Sequence, residues 1–299
     1  MVWQITKQIL IFCLILIGFI LLLLLPRERE IEMLGPMQFE ADYPFTLELY
    51  QESIQDFVSY VKVEKGFGET TGGNSIWSES QRFLNRSLKI IIPAFILSMV
   101  VGILIGMLQI HWRNRKKGKV IAFFSWLFAA IPDFFLFISI QYLLIVLMRN
   151  GLPQFSIFGD EHWYNFIIPL VALMIFPIAH LVKFTVVSME NEMGQDYVRT
   201  AFSKGMTRLE AIKHMFWNSF GPLMNQSQMV MLYILSSLPI IEKVSNYNGA
   251  GYQLLESILA NEEMRALALM IPFLFIMFIV VLTTQVLKHQ FVPKDVTAK

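Results

Sequence analysis

Long apolar runs separated by short polar stretches dominate this chain. Six of these runs are long enough to cross about 30 Å of hydrocarbon, a distance that takes about 20 helical residues. They cover residues 9–25, 88–110, 120–148, 166–189, 220–241 and 266–287. We therefore predict an all-α, polytopic membrane protein with six transmembrane helices. Pro132 lies inside the longest run and favours a bend there.

The composition agrees with this pattern. With 55% hydrophobic and 16% charged residues, the chain has more apolar side chains than a soluble domain needs. The first apolar run follows Lys7 as a secretory signal would, but no small-residue cleavage site follows it, which favours an uncleaved first span. Cys13 is the only cysteine, so we predict no intrachain disulfide. A net charge of +1 gives no indication of a nucleic-acid partner.

Charged residues are distributed unevenly between the connecting segments. Residues 111–119 carry five bases and no acid, and short basic loops of this kind stay in the cytoplasm. Six spans then place both termini in the cytoplasm and residues 26–87, where acids outnumber bases, outside. We predict three parts: residues 1–87 with the first span and an extracytoplasmic segment, a five-helix core at 88–290, and a cytoplasmic tail at 291–299.

The extracytoplasmic segment has one helical pattern. Apolar residues recur near helical spacing over 47–63, which predicts a short amphipathic helix. It either packs at the membrane surface or provides a docking surface for an external protein. Within the second span, Gly102 and Gly106 form a GxxxG pattern that indicates close helix packing.

The loop at 190–221 differs from an ordinary connection between two spans. It predicts two short amphipathic helices separated by a turn at 204–207, where Gly205 supplies the backbone freedom that a helix stop requires. Each helix has one apolar face, formed by Met193, Tyr197, Ala201 and Phe202, and by Leu209, Ile212, Met215 and Phe216. The mixed charges of this loop suit docking to a protein better than binding to lipid.

The motif in this loop resembles a known one. Its residues are Asp196, Tyr197, Val198, Arg199, Thr200, Ala201, Lys204, Gly205, His214, Asn218 and Pro222. They are similar to the cytoplasmic EAA loop of binding-protein-dependent ABC importer permeases, in the version of the dipeptide and oligopeptide systems. Shorter similarities occur at 66–69, 131–134, 152–153 and 248–252, whereas the first span lacks the usual alanine-proline-glycine ending.

This resemblance implies a type I importer permease that translocates peptides or similar solutes. The implied partners are a second homologous permease, two cytoplasmic ATPase subunits and an extracytoplasmic solute-binding protein, all working in membrane lipid. ATP and magnesium would be held by the ATPase subunits, so no cofactor and no enzymatic activity are expected in this chain. The implied ATPase-coupling residues are Asp196, Tyr197, Arg199, Thr200, Ala201, Lys204, Gly205, Glu210 and His214.

A few polar residues inside the predicted spans are candidates for lining a solute pathway: Asp133, Asn225, Gln226 and Gln228. For Asp133, a packing or capping role is an equal alternative. Neither a nucleotide site at 66–73 nor a histidine metal site is predicted, because the loop lacks the lysine of a phosphate-binding motif and the histidines are scattered. Two other functions stay open: a secondary transporter acting alone, and a membrane scaffold or sensor derived from a permease.

Overall fold

The computed structural model describes residues 2–25, 30–35, 38–42, 45–64, 66–70 and 72–291. All of the predicted tail except its first residue, Phe291, therefore lies outside the described residues. The helices are α1 Val2–Leu23, α2 Leu47–Glu64, α3 Ile76–His111, α4 Lys116–Ala130, α5 Asp133–Arg149, α6 Ile167–Met193, α7 Asp196–Ser203, α8 Arg208–Ser245, α9 Ala250–Leu259 and α10 Glu263–Phe291. The strands are β1 Glu30–Gly35 and β2 Gln38–Asp42.

Fewer helices than predicted have the length and apolarity of a membrane span. Four single helices in the described ranges do, namely α1 (over Thr6–Leu23), α3, α6 and α10, and the bent pair of α4 and α5 raises the number to at most five. The six predicted spans are therefore not confirmed. Helix α8 contains the predicted span 220–241, but the polar turn at 225–228 lowers its mean hydropathy.

The third predicted span is two helices. The chain bends by 106° between α4 and α5, around Ile131 and Pro132. Ile131 is extended, with φ −91° and ψ 129°, as expected for a residue that precedes proline. Asp133 begins the next helix, and its Oδ1 accepts a hydrogen bond from the Phe134 N–H at 2.8 Å. The proline thus ends one helix and starts another.

The predicted helical fold also contains a short hairpin. Strand β1 pairs antiparallel with β2, with Glu30 opposite Asp42 and Met33 opposite Phe39. The alternation of charged and apolar residues over 30–33 is the pattern of a strand, and it was missed beside the stronger helical signals.

The chain forms two compact units, the first made of residues 1–84 and 253–275. Its core joins Leu23 of α1 to Ala266, Leu267 and Met270 of α10, and Phe57 of α2 packs against this cluster. The amphipathic helix predicted over 47–63 is confirmed as α2. No residue of α2 is fully buried, so the helix contributes only part of one face to this core.

The second unit comprises residues 85–252 and 276–299. Helix α6 is its centre and packs against α4, α5 and α8. Helix α3 approaches α6 at the two glycines: a Cβ added to Gly102 would lie 2.6 Å from the Leu181 Cβ, and one added to Gly106 would lie 2.6 Å from the Thr185 Cβ. The close packing predicted from GxxxG is confirmed, because only glycine leaves room for this approach.

Candidate functional site

The loop at 190–221 folds into an elbow, which we define as α7, the turn 204–207 and the first turns of α8 up to His214. The predicted turn is confirmed, with Gly205 at φ +80° and its N–H donating to the Phe202 carbonyl at 3.0 Å. The second helix was predicted to be short, but it continues without interruption from Arg208 to Ser245. The elbow is therefore attached directly to the longest helix of the unit.

The start of α8 is fixed by a capping box. The Glu210 N–H donates to the Thr207 hydroxyl at 3.4 Å, and the Thr207 N–H donates to the Glu210 carboxylate at 2.7 Å. The backbone N–H of Thr207, followed by its hydroxyl, lowers the pKa of Glu210. Glu210 is thus ionised at neutral pH and satisfies an amide that the helix leaves free.

Loss of this cap should loosen the first turn of α8. Thr207→Ala is expected to reduce the stability of this turn by about 1 kcal/mol, because the side-chain acceptor is removed. Amide hydrogen exchange at 208–211 should therefore become faster. Thr200→Ala is the matched control, because this exposed hydroxyl only donates to the Asp196 carbonyl within α7. Equal exchange in the two variants would contradict the capping role.

An apolar cluster beneath the elbow holds it to the bundle. Val198 of α7 is buried together with Ile212 and Met215 of α8, Met189 of α6 and Ile110 of α3. Of the residues predicted to form the apolar faces, Phe202 and Leu209 are 50% and 63% exposed, whereas Val198, which was not among them, is buried. The helix breaks at 194–195, so α7 does not continue the periodicity of α6.

Polar contacts add to this attachment. The Tyr197 hydroxyl donates to Glu192 of α6 at 2.6 Å, and burial, reinforced by this hydrogen bond, raises the pKa of Tyr197 to about 12. Arg208 donates to the Ile110 carbonyl at 3.0 Å and satisfies the end of α3. Arg113, from the basic loop 111–119, contacts the Met193 sulfur at 2.8 Å. The basic loop and the elbow thus lie at the same end of the unit.

The side of the elbow that faces away from the bundle carries most of the predicted coupling residues. Asp196, Arg199, Thr200, Lys204, Gly205, Glu210 and His214 are exposed, Tyr197 and Ala201 are half-buried, and Phe202 and Leu209 add apolar area. We call the exposed members of this set the elbow face. Asp196 and Arg199 form only a loose pair at 3.8 Å, so both charges stay accessible. Mixed charges around two apolar side chains are typical of a protein docking surface.

The four residues predicted to line a pathway lie on two different helices and differ in burial. Asp133 starts α5, where its carboxylate binds its neighbour's amide. Asn225 is exposed on α8, while Gln226 and Gln228 are half-buried. Gln226 Oε1 lies 3.0 Å from His180 Nε2 of α6. The His180 ring thus joins α6 to α8. No group of three metal-ligating side chains occurs in the described parts of the chain.

The chain is similar in sequence to known proteins. The model of the family described as "Binding-protein-dependent transport system inner membrane component" matches residues 81–294, which include the elbow. A dipeptide transport system permease protein of Lactococcus lactis is 27% identical over 202 residues, covering 67% of this chain and 65% of the relative. A glutathione transport system permease protein of Escherichia coli K12 is 25% identical over 173 residues, covering 58% and 55%. The matched segments thus span little more than half to about two thirds of these relatives.

Proposed function

The chain belongs to the family of binding-protein-dependent transport system inner membrane components, and we propose that it is a permease subunit of an ATP-binding cassette importer. Its solutes are peptides or similar small molecules that an extracytoplasmic binding protein delivers. This proposal agrees with the dipeptide and glutathione systems to which the similar permeases belong. The ATP is hydrolysed by separate subunits, and this chain converts their movement into a change of pathway exposure.

The observation that carries the proposal is an exposed elbow on a rigid attachment. Val198 and Tyr197 fix α7 to α6 and α8, while the elbow face stays open to a partner. A force applied to α7 therefore reaches these helices without first deforming a flexible loop. Two cytoplasmic ATPase subunits are the proposed partners, one on this elbow and one on the elbow of a second, homologous permease.

The proposed topology follows from the position of the elbow. The basic loop lies beside it, and with this end in the cytoplasm the positive-inside rule is obeyed. If the chain makes the six crossings predicted from its sequence, both termini are then cytoplasmic, and the protein resides in the plasma or inner membrane. Residues 26–87 face outward, where the binding protein docks.

The proposed pathway uses amide side chains of α8. Gln226 and Gln228 are half-buried, Asn225 is exposed, and amides offer donors and acceptors to a peptide backbone without adding a charge. Asp133, at the bend between α4 and α5, would line the same route. One subunit forms half of the route, and the second permease forms the other half.

Copurification and uptake test this function together. The tagged chain, isolated from its native host in mild detergent, should retain two ATPase subunits and a second permease. Proteoliposomes of this complex should accumulate a labelled di- or oligopeptide only with both ATP and the binding protein. Uptake driven by an ion gradient without ATPase subunits would support a solitary secondary transporter instead. A chain that copurifies without any uptake would support a scaffold or sensor.

A further inference from the structure

Glu242 is a buried acid near the far end of α8, and the function proposed above does not use it. Its side chain has no exposed surface. It lies three residues before the end of α8 at Ser245, whereas the elbow joins the same helix at Arg208. A helix of 38 residues is about 57 Å long at 1.5 Å per residue, so Glu242 and the elbow lie at opposite ends.

The carboxylate accepts hydrogen bonds from two other segments. Ser87 of α3 donates its hydroxyl to Oε1 at 2.6 Å, and the backbone N–H of Tyr252 donates to Oε2 at 2.9 Å. The Gly251 N–H is a further donor. The Ala250 N–H donates to the Ser87 hydroxyl oxygen at 2.7 Å and so joins the same network. These amides are the first three of α9, which that helix cannot satisfy itself.

Glu242 therefore caps α9 from a different helix. Its carboxyl oxygens accept from amides that the N-terminus of a helix leaves free. The backbone is shaped for this acid: a Cβ on Gly249 would overlap the carboxylate, and one on Gly251 would lie 3.0 Å from Oε2. The Tyr247 N–H also donates to the Glu242 carbonyl at 2.9 Å. Several residues of the turn 246–252 thus donate hydrogen bonds to Glu242 or pack closely against it.

We propose that Glu242 is a positioning residue that fixes the turn 246–252 to α8, so that displacement of the elbow at one end of α8 moves this turn at the other end. This inference rests on the proposed importer function, because the elbow is displaced only if an ATPase subunit acts on it. In this proposal, α8 transmits the displacement along its length. Glu242 attaches the turn 246–252 to α8 at the end that lies away from the ATPase subunit.

The contact between Glu242 and the first turn of α9 can be tested without a transport assay. Ala250 is 1% exposed, so a cysteine at this position, in a Cys13→Ser background, should react slowly with a maleimide in detergent. Glu242→Gln keeps the size of the side chain but replaces one acceptor oxygen by a donor group. We expect the labelling rate to rise roughly tenfold or more, because the first turn of α9 opens when its acceptor is lost. An unchanged rate would overturn the proposal.

A milder pair of variants guards against global misfolding. Ser87 and Ser245 are both buried serines, but only the Ser87 hydroxyl binds the carboxylate, whereas the Ser245 hydroxyl donates to the Glu242 backbone carbonyl within α8. Ser87→Ala should raise the labelling rate several-fold, and Ser245→Ala should leave it unchanged. Equal rates in these two variants would overturn the proposal even if Glu242→Gln does not fold.

The transport role has its own readout, the number of peptides imported per ATP hydrolysed by the reconstituted complex. Glu242→Gln should lower this ratio at least fivefold while hydrolysis continues, because the elbow still moves but the turn no longer follows. Faster labelling with an unchanged ratio would make Glu242 a purely structural cap and would overturn its positioning role. If the parent complex shows no ATP-driven uptake, the proposed function fails and the transport role with it, whereas the labelling result for the cap stands.

Discussion

Gly106→Leu is expected to prevent normal packing of α3 against α6 and to cause the largest loss of stability of any single substitution considered for this chain. A Cβ at this position would lie 2.6 Å from the Thr185 Cβ and 2.8 Å from its Cγ2. Thr185 is fully buried, so it has little room to move away. Overpacking of this kind costs about 1–3 kcal/mol or more when the backbone must shift.

The measurement is the temperature at which the detergent-solubilised chain loses its monodisperse elution profile, with the yield of inserted protein as a second readout. Gly18→Leu is the matched control, because it places the same side chain in α1, where nothing lies within 4 Å of the added Cβ. The control should behave like the parent. If Gly106→Leu also does so, the close approach of α3 to α6 is wrong.

Gly205→Val is expected to lower ATP-driven uptake by tenfold or more without removing the chain from the membrane. Gly205 has φ +80°, a conformation that costs a β-branched residue about 1–3 kcal/mol, and 1.4 kcal/mol corresponds to a tenfold change in an equilibrium. Nothing lies within 4 Å of its added Cβ, so the effect arises from the turn and not from a collision. The altered turn would displace α7 from the start of α8.

Gly194→Val provides the control in the same loop. Gly194 ends α6 with φ −79° in the right-handed helical region, and its added Cβ also meets open space. Peptide uptake by the Gly194→Val variant, measured in proteoliposomes at equal chain content, should stay within about twofold of uptake by the parent. ATPase subunits should still copurify with both variants if only transmission is lost. Normal uptake by Gly205→Val would show that the shape of the turn is not needed for coupling.

Local chemistry explains why several features could be predicted from the sequence. The turn at 204–207 needs a residue that tolerates positive φ, and Gly205 supplies it beside two amphipathic patterns. The pair Gly102 and Gly106 indicated close packing because a helix with two small residues four apart offers a flat face. Neither inference required knowledge of a distant residue.

Other features depend on neighbours that the sequence does not identify. Whether Pro132 bends a helix or ends it depends on what packs beside it. Here α4 ends before Pro132, and the direction of the chain bends by 106° between α4 and α5. The buried side of α7 is set by contact with α3 and α8, which is why Val198 and not Phe202 faces inward. Membrane helices are apolar on most sides, so periodicity alone identifies a buried face poorly.

Glu242 gives the sharpest contrast. In the sequence it is an acid next to Lys243 at the end of an apolar run, which suggests a solvated helix end. Its partners Ser87 and Tyr252 come from segments 155 residues before it and 10 residues after it along the chain. The sequence by itself determined the apolar helices, the elbow and the glycine contact, because these follow from local composition and spacing. Only the tertiary structure decided which side chains meet, because hydrogen bonds between helices depend on positions that folding alone brings together.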